Sequence, residues 1–284
     1  MCLKQRLHYS DMLLKDQTSP LITLEVAWNY RYLIWQMTKR EVVGRYRGSI
    51  LGVVWSFLNP IFMLAIYVFV FSFVLKARWG AGEAGSMEFA LFLFAGLIIY
   101  SIFSECVSKA PLLVVGNPNY VKKVIFPLEI LPIVSMVSVL IHGSLSFLVL
   151  FVAQLIIQNG MHWTVVFLPI ILMPLVIFTL GASWFLASIG VYVRDVPQFV
   201  GLITTVLMFV SPVFYPATAL PEEIRPLLFL NPLTFIIEQT RDVVLIGNTP
   251  AWVRLILYSI VSILVGVLGF IWFQKTRKGF ADVI

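Results

Sequence analysis

The chain has 284 residues, of which 60% are hydrophobic and 12% charged, with a formal net charge of +6 and a mean hydropathy of +0.95. Soluble domains carry roughly a quarter charged residues and under half apolar ones, and one soluble core could not bury this excess. A cytosolic enzyme, a secreted disulfide scaffold and a disordered tail are excluded together, and the bilayer has to serve as part of the solvent. Cys2 and Cys106 are far apart with no CxxC spacing, so neither a disulfide framework nor a zinc site is expected.

The region 1–49 reads as a cytoplasmic N-terminal region. Its first twenty or so residues alternate charge and polarity (Lys4, Arg6, His8, Asp11, Lys15, Asp16) without an apolar core, so no cleavable signal peptide is expected. From Leu24 to Tyr46 the apolar Val26, Tyr30, Leu33 and Met37 recur at helical spacing, with Glu25, Asn29, Gln36 and Arg40 on another face. That pattern predicts an amphipathic helix lying flat at the interface and held by Trp28 and Trp35. It serves either as an anchor alone or as part of a mechanism.

A membrane helix needs about 20 mostly apolar residues to cross about 30 Å of hydrocarbon. The region 50–274 accommodates six such spans, at about 50–75, 89–108, 130–157, 164–191, 197–214 and 252–274. The uncharged run from Ile130 to Val193 is divided by the turn Gln158-Asn159-Gly160, and Ser211-Pro212 with Tyr215-Pro216 stops the fifth span near Phe214. The fold class is therefore an all-α polytopic membrane protein. An even number of spans places both ends of the chain, including the tail 275–284, on one side. Fifteen of the 20 Lys and Arg fall on that side, which the positive-inside rule makes the cytoplasm. Most of the tryptophans fall near span ends, as indole prefers, whereas Trp184 lies well inside one.

Two segments between spans are unusual. The loop 116–127 reads Gly116-Asn117-Pro118-Asn119-Tyr120-Val121-Lys122-Lys123-Val124-Ile125-Phe126-Pro127. Asn117 as cap and Pro118 as first residue predict a helix of little more than two turns ended by Pro127, with Tyr120, Val121 and Phe126 exposed. It is either a docking element for another protein or an ordinary turn. The segment 217–247 is too apolar for a free loop and too charged to span. Pro221 before Glu222-Glu223 predicts one helix start, Asn231-Pro232 a second and Gly247 a stop. Two short helices re-entering the outer leaflet follow, with Glu238, Arg241 and Asp242 pairing to lower the cost of their charge. Irregular backbone at that depth persists only against protein or a water-filled cavity.

No GxxxxGK[ST] phosphate loop, HExxH or GxSxG is present, so no catalytic site and no metal are expected in this chain. His8, His142 and His162 are scattered; His142 alone is expected deep in the membrane, where it could relay protons or bond a neighbouring helix. Glu105, at the inner end of span two, either pairs with a basic residue or guards an entrance. Among the aromatics, Phe57, Phe62, Tyr67 and Phe71 in span one and Tyr100 and Phe103 in span two either pack or line a route along which a sugar polymer could slide.

Several stretches taken in order resemble the membrane subunit of ABC-2 type exporters, in the branch that exports O-antigen, capsule or teichoic acid. They are Arg45-Tyr46-Arg47-Gly48-Ser49-Ile50-Leu51-Gly52, Trp55-Ser56-Phe57-Leu58-Asn59-Pro60, the Asn117–Pro127 loop, Tyr192-Val193-Arg194-Asp195-Val196, Ser211-Pro212-Val213-Phe214-Tyr215-Pro216, Leu230-Asn231-Pro232-Leu233-Thr234 and Phe280-Ala281-Asp282-Val283. The resemblance covers about Leu24 to the end. It implies an inner-membrane homodimer with the channel between subunits, moved by two separate ATPase subunits that hold the ATP and Mg, so that this chain needs no cofactor of its own. It further implies that Asn117, Pro118, Asn119, Tyr120, Val121 and Lys122 couple to the ATPase. Arg40, Arg45 and Arg47 would meet the phosphate headgroup of a lipid-linked polysaccharide, O-antigen foremost. An ABC-2 exporter of drugs or lipids, or a membrane-embedded glycan-processing enzyme, are the alternatives; no nucleic acid partner is expected.

Overall fold

The computed structural model describes residues 27–75, 86–122, 126–223, 225–228 and 230–284. The expectations placed on 1–26, on Lys76, Arg78 and Trp79, and on 123–125 lie outside the described residues. In chain order the helices are α1 (Arg31–Gly44), α2 (Gly52–Val74), α3 (Ser86–Lys109), α4 (Pro118–Val121), α5 (Ile130–Gln158), α6 (Leu168–Tyr192), α7 (Val196–Val210), α8 (Arg225–Leu228), α9 (Pro232–Arg241), α10 (Trp252–Thr276) and α11 (Phe280–Val283). No strand occurs among the described residues.

Five helices among the described residues are long and apolar enough to cross a membrane: Gly52–Val74, Met87–Leu112, Ile130–Gln158, Trp163–Tyr192 and Trp252–Val283. The expected fifth span, 197–214, is represented by α7, whose 15 residues reach about 22 Å at 1.5 Å per residue. It stops early because Ser211 is extended, with ψ 148°, the conformation that the Pro212 ring imposes on the residue before it. The turn after α5 is as expected, with Asn159 left-handed at φ 54°.

α3 is the axle of the fold. Of its most apolar stretch 72% is buried, against 6% for α2, which packs on α3 and α5 along one side and leaves the other exposed. α6 and α10 form the closest pair because glycines let their backbones meet: a Cβ on Gly181 would lie 2.5 Å from the Val265 carbonyl oxygen. Trp184, out of place for an interfacial indole, is explained by packing. It is buried edge-on to Phe270 at 5.1 Å and donates Nε1–H to the Glu129 carbonyl at 3.0 Å.

Side-chain bonds fix which helix ends share a face. Arg277 pairs with the buried Glu129 at 2.7 Å, and Tyr192 Oη donates to the Thr276 carbonyl at 2.9 Å. The start of α5 and the ends of α6 and α10 therefore lie together, with α1 packed on α5 through Ile34, Ile130 and Val134. On the opposite face Phe167, just before α6, meets Trp252 at the start of α10, ring centroids 5.5 Å apart.

The segment 211–250 fills the bundle at that opposite face. Asn231 caps α9 as expected, its Oδ1 accepting from Leu233 N at 2.9 Å while Nδ2 donates to Ser211 Oγ at 2.7 Å. α9 runs into a π-helix, Asp242–Ile246, and Gly247 stops it at φ +87°. The last carbonyls of such a helix lack helical donors; here Gln154 Nε2 serves Val244 O and Thr164 Oγ1 serves Val243 O, both at 2.6 Å. The helix expected at Pro221 begins instead at Arg225. The Arg225 guanidinium donates to the Thr218 and Leu220 carbonyls, at 3.4 and 3.2 Å, and holds the Glu222-Glu223 stretch as a turn.

Arg241 ties this segment to α3. Its guanidinium donates to Phe92 O at 2.8 Å, Pro212 O at 2.5 Å and Val213 O at 2.8 Å, and Gly96 leaves room for it, since a Cβ there would lie 2.6 Å from Nη2. The sequence pairs Arg241 with Glu238 or Asp242; in the structure its guanidinium also holds main-chain carbonyls, of which Pro212 O and Val213 O lie outside any helix. Arg241→Met would strand those acceptors. A loss of about 3–5 kcal/mol is expected, read as a lower unfolding midpoint of the purified chain in detergent; an unchanged midpoint would contradict the role.

Candidate functional site

The charged face of the bundle is organised by four side chains. Glu105 and Lys109, one turn apart on α3, bond each other at 2.8 Å. Lys109 Nζ also lies 3.5 Å from Glu41 of α1, and Arg45, just past α1, donates to the same Glu105 oxygen that Lys109 uses. Each of these partly exposed pairs contributes little, about 0–1 kcal/mol, but together they fix where α1 meets the span. Glu105 is thus a pairing residue. Among the three arginines expected to meet a headgroup, Arg45 is engaged by that carboxylate, whereas Arg40 and Arg47 are exposed.

Directly behind the network lies a cavity of about 220 Å³ between α2, α3 and α5. Arg45, Tyr46, Ser101, Glu105, His142 and Ser146 line its polar part, while Met63, Tyr67, Phe94, Leu97 and Ile98 line the apolar part. Among the described residues His142 bonds neither a neighbouring helix nor a carboxylate: its Nδ1 is 2.8 Å from the Ser138 carbonyl of its own helix, and the Tyr46 ring lies beside it, tilted, at 6.0 Å between centroids.

The loop expected to dock is built differently from its sequence pattern. α4 is a single turn, Pro118–Val121, and Asn117 does not cap it; its Nδ2 donates back to the Leu113 carbonyl at 2.9 Å. Tyr120 stacks on Phe126 at 4.3 Å and 9°, and both pack with Val121 on the cluster formed by Val114, Leu128, Trp184 and Phe280. The expected exposure of Tyr120, Val121 and Phe126 is therefore corrected to half-burial, because apolar rings beside a hydrophobic cluster gain by covering it. Pro118, Asn119 and Lys122 present the exposed surface. The Glu129–Arg277 pair beneath this cluster escaped the sequence reading, since no pattern links residues 148 apart in the chain.

The six aromatic candidates do not converge on one wall. Phe57 and Phe62 are exposed on α2, Tyr67 lines the cavity, and Phe71 stacks on Phe89 at 5.3 Å. Tyr100 donates to the Thr204 carbonyl of α7 at 3.0 Å, and Phe103 is buried in the core beside Phe178. At the opposite face Glu238, Arg241 and Asp242 do come together. The Arg241 guanidinium is buried between the two carboxylates and its neighbouring carbonyls. Among the described residues no cluster of three His, Cys, Asp or Glu could hold a metal.

Comparison with known proteins gives this architecture a family. The family model for ABC-2 type transporters matches residues 32–245. The chain is 29% identical to the O-antigen export system permease protein RfbA of Myxococcus xanthus over 90% of its own length and 97% of that protein. It is 25% identical to RfbA of Klebsiella pneumoniae, over 93% of this chain and all of the relative. The polysialic acid transport protein KpsM of Escherichia coli is 22% identical, over 80% of this chain and 88% of that protein. A match that runs from α1 to Leu245 takes in the Glu41, Arg45, Glu105 and Lys109 network and Arg241 opposite: the chain belongs to the ABC-2 type transporter family.

Proposed function

We propose that this chain is the membrane subunit of an ATP-driven exporter that carries a lipid-linked polysaccharide, of O-antigen type, across the bacterial inner membrane. The similarity to O-antigen export permeases over nearly the whole of both chains carries this reading. Such a cargo comes from glycan assembly on a lipid carrier, so the chain acts after the glycosyltransferases. An exporter of drugs or lipids would share the family but not those relatives.

Six crossings with both ends cytoplasmic are supported by the pairing of faces. The ends of α6 and α10 lie together at the start of α5, so the chain between them has to leave that face and return. α7 makes most of the outward journey, and Pro212 and Val213, just past its end, are bonded through Arg241 to the level of Phe92 on α3. Glu238, Arg241 and Asp242 then belong to a segment that enters the outer leaflet and goes back. A second copy of the chain has a place to pack on the side of α2 that this protomer leaves exposed.

Work enters from two ATPase subunits that contact Pro118, Asn119 and Lys122. The stacked Tyr120 and Phe126 carry the push into the cluster around Trp184 and Phe280, and from there into α6 and α10. A rigid packed cluster of this kind transmits displacement because interiors are close-packed. At the gate, Arg40 and Arg47 are the cations open to a phosphate headgroup, with Arg45 as part of the hinge that holds α1 against α3.

Loss of the gene is expected to remove polysaccharide from the cell surface and accumulate it inside, as read by extraction and blotting; normal surface polysaccharide would refute the reading. Asn119→Asp with Lys122→Glu is expected to lower export at least tenfold with unchanged amounts of chain in the membrane. Parental export by that double variant would remove the loop from the coupling path.

A further inference from the structure

The packed rings around Trp184 and Phe280 transmit a push, but apolar contacts are non-directional and restrain separation or sliding only weakly. A transport cycle has to bring α10 back as well as drive it away, which calls for a tie that also holds in tension. Glu129 is placed to provide one. Among the described residues it is the one buried carboxylate, at 5% exposure.

Glu129 stands two residues past the loop 116–127 and is wound onto it. Ile130 N donates to the Pro127 carbonyl at 3.2 Å and Leu131 N to the Leu128 carbonyl at 3.1 Å, so the end of the loop runs straight into the first turn of α5. From that turn Glu129 grips two further elements. Its carboxylate accepts from Arg277 Nη1 at 2.7 Å, in the turn that links α10 to α11, and its main-chain carbonyl accepts from Trp184 of α6 at 3.0 Å. Phe280, fully buried edge-on to Phe273 at 5.5 Å, locks that turn to α10.

Stability alone does not call for an ion pair at this place. Leu128, Trp184 and Phe280 belong to an apolar cluster, and a buried pair is often no better than apolar side chains of similar volume, because both ions lose water. What the pair adds is direction. A charge-assisted hydrogen bond fixes both distance and angle, and so resists pulling as well as pushing.

We propose that Glu129 and Arg277 are positioning residues for transport: their pair makes α10 follow the loop 116–127 in both strokes, and so helps convert ATP hydrolysis on the partner subunits into movement of polysaccharide. This role rests on the export reading above and extends it to the return stroke.

The test uses the full chain with its ATPase in proteoliposomes and reads polysaccharide moved per ATP hydrolysed, beside the unfolding midpoint of each variant. Glu129→Leu with Arg277→Met replaces the pair by apolar side chains, so the midpoint is expected to stay at or above the parental one. Movement per ATP is expected to fall about tenfold, the scale of a typical coupling free energy. Glu129→Gln keeps an acceptor for Arg277 without the charge and is expected to lose about threefold, since neutral hydrogen bonds are roughly half as strong. If the double variant shows no cooperative unfolding, Glu129→Gln decides alone: the threefold loss supports the role and a parental ratio overturns it. A parental ratio in the folded double variant, including one in which hydrolysis and movement fall together, would also overturn it. A parental chain that moves no polysaccharide with its ATPase defeats the export reading and this role with it; a working parental chain beside variants of unchanged ratio defeats this role alone.

Discussion

Inside a bilayer an unpaired main-chain N–H or C=O costs several kcal/mol, which is why helices span membranes and irregular backbone does not. The segment 211–250 leaves helical geometry at several points, and side chains of its own and of neighbouring elements take up the carbonyls so freed. Arg241 takes three carbonyls, Gln154 and Thr164 take two more, and Asn231 caps α9. Remove these donors and the segment would have to leave the bundle; with them, it can sit against α3 and α6 and close one face of the protein. The position of α7 depends on this too, because Pro212 and Val213, at its end, are held by Arg241.

The opposite face obeys a different logic. There the charges are partly exposed, so no pair stabilises much by itself, and what they provide is geometry. Glu105 bridges Arg45 to Lys109, Lys109 reaches Glu41, and Arg277 returns the tail to Glu129. α1, α3 and the stretch after α10 are thereby joined around a hydrophobic cluster whose exposed rim is Pro118, Asn119 and Lys122. A push on that rim moves packed rings, not a loop. The cavity with His142 lies between this face and the middle of the membrane, one layer in from the ion pairs.

Apolar runs and turn chemistry made most of the helices legible. Gly247 and Asn231-Pro232 stop and start α9 where local chemistry places them, and the membrane character follows from composition alone. What escaped depends on partners distant in the chain. Trp184 looks misplaced until Glu129 and Phe270 surround it, and nothing local shows that three carbonyls converge on Arg241. Asn117 has the composition of a cap yet bonds backward to Leu113, since side-chain amides choose among nearby acceptors. The aromatic candidates share a residue type but not a wall, because a helix turns them to different neighbours. His142 was legible as unusual, and its bond to its own helix was not, since that depends on which carbonyl the ring meets.

The central claim is that this chain conducts a lipid-linked polysaccharide and draws the energy for it from another subunit. The direct measurement is uptake of a fluorescent lipid-linked polysaccharide into proteoliposomes holding the chain with its ATPase. Uptake is expected with ATP and the ATPase together, and none with the chain alone. Transport by the chain alone, or none with both present, would contradict the claim.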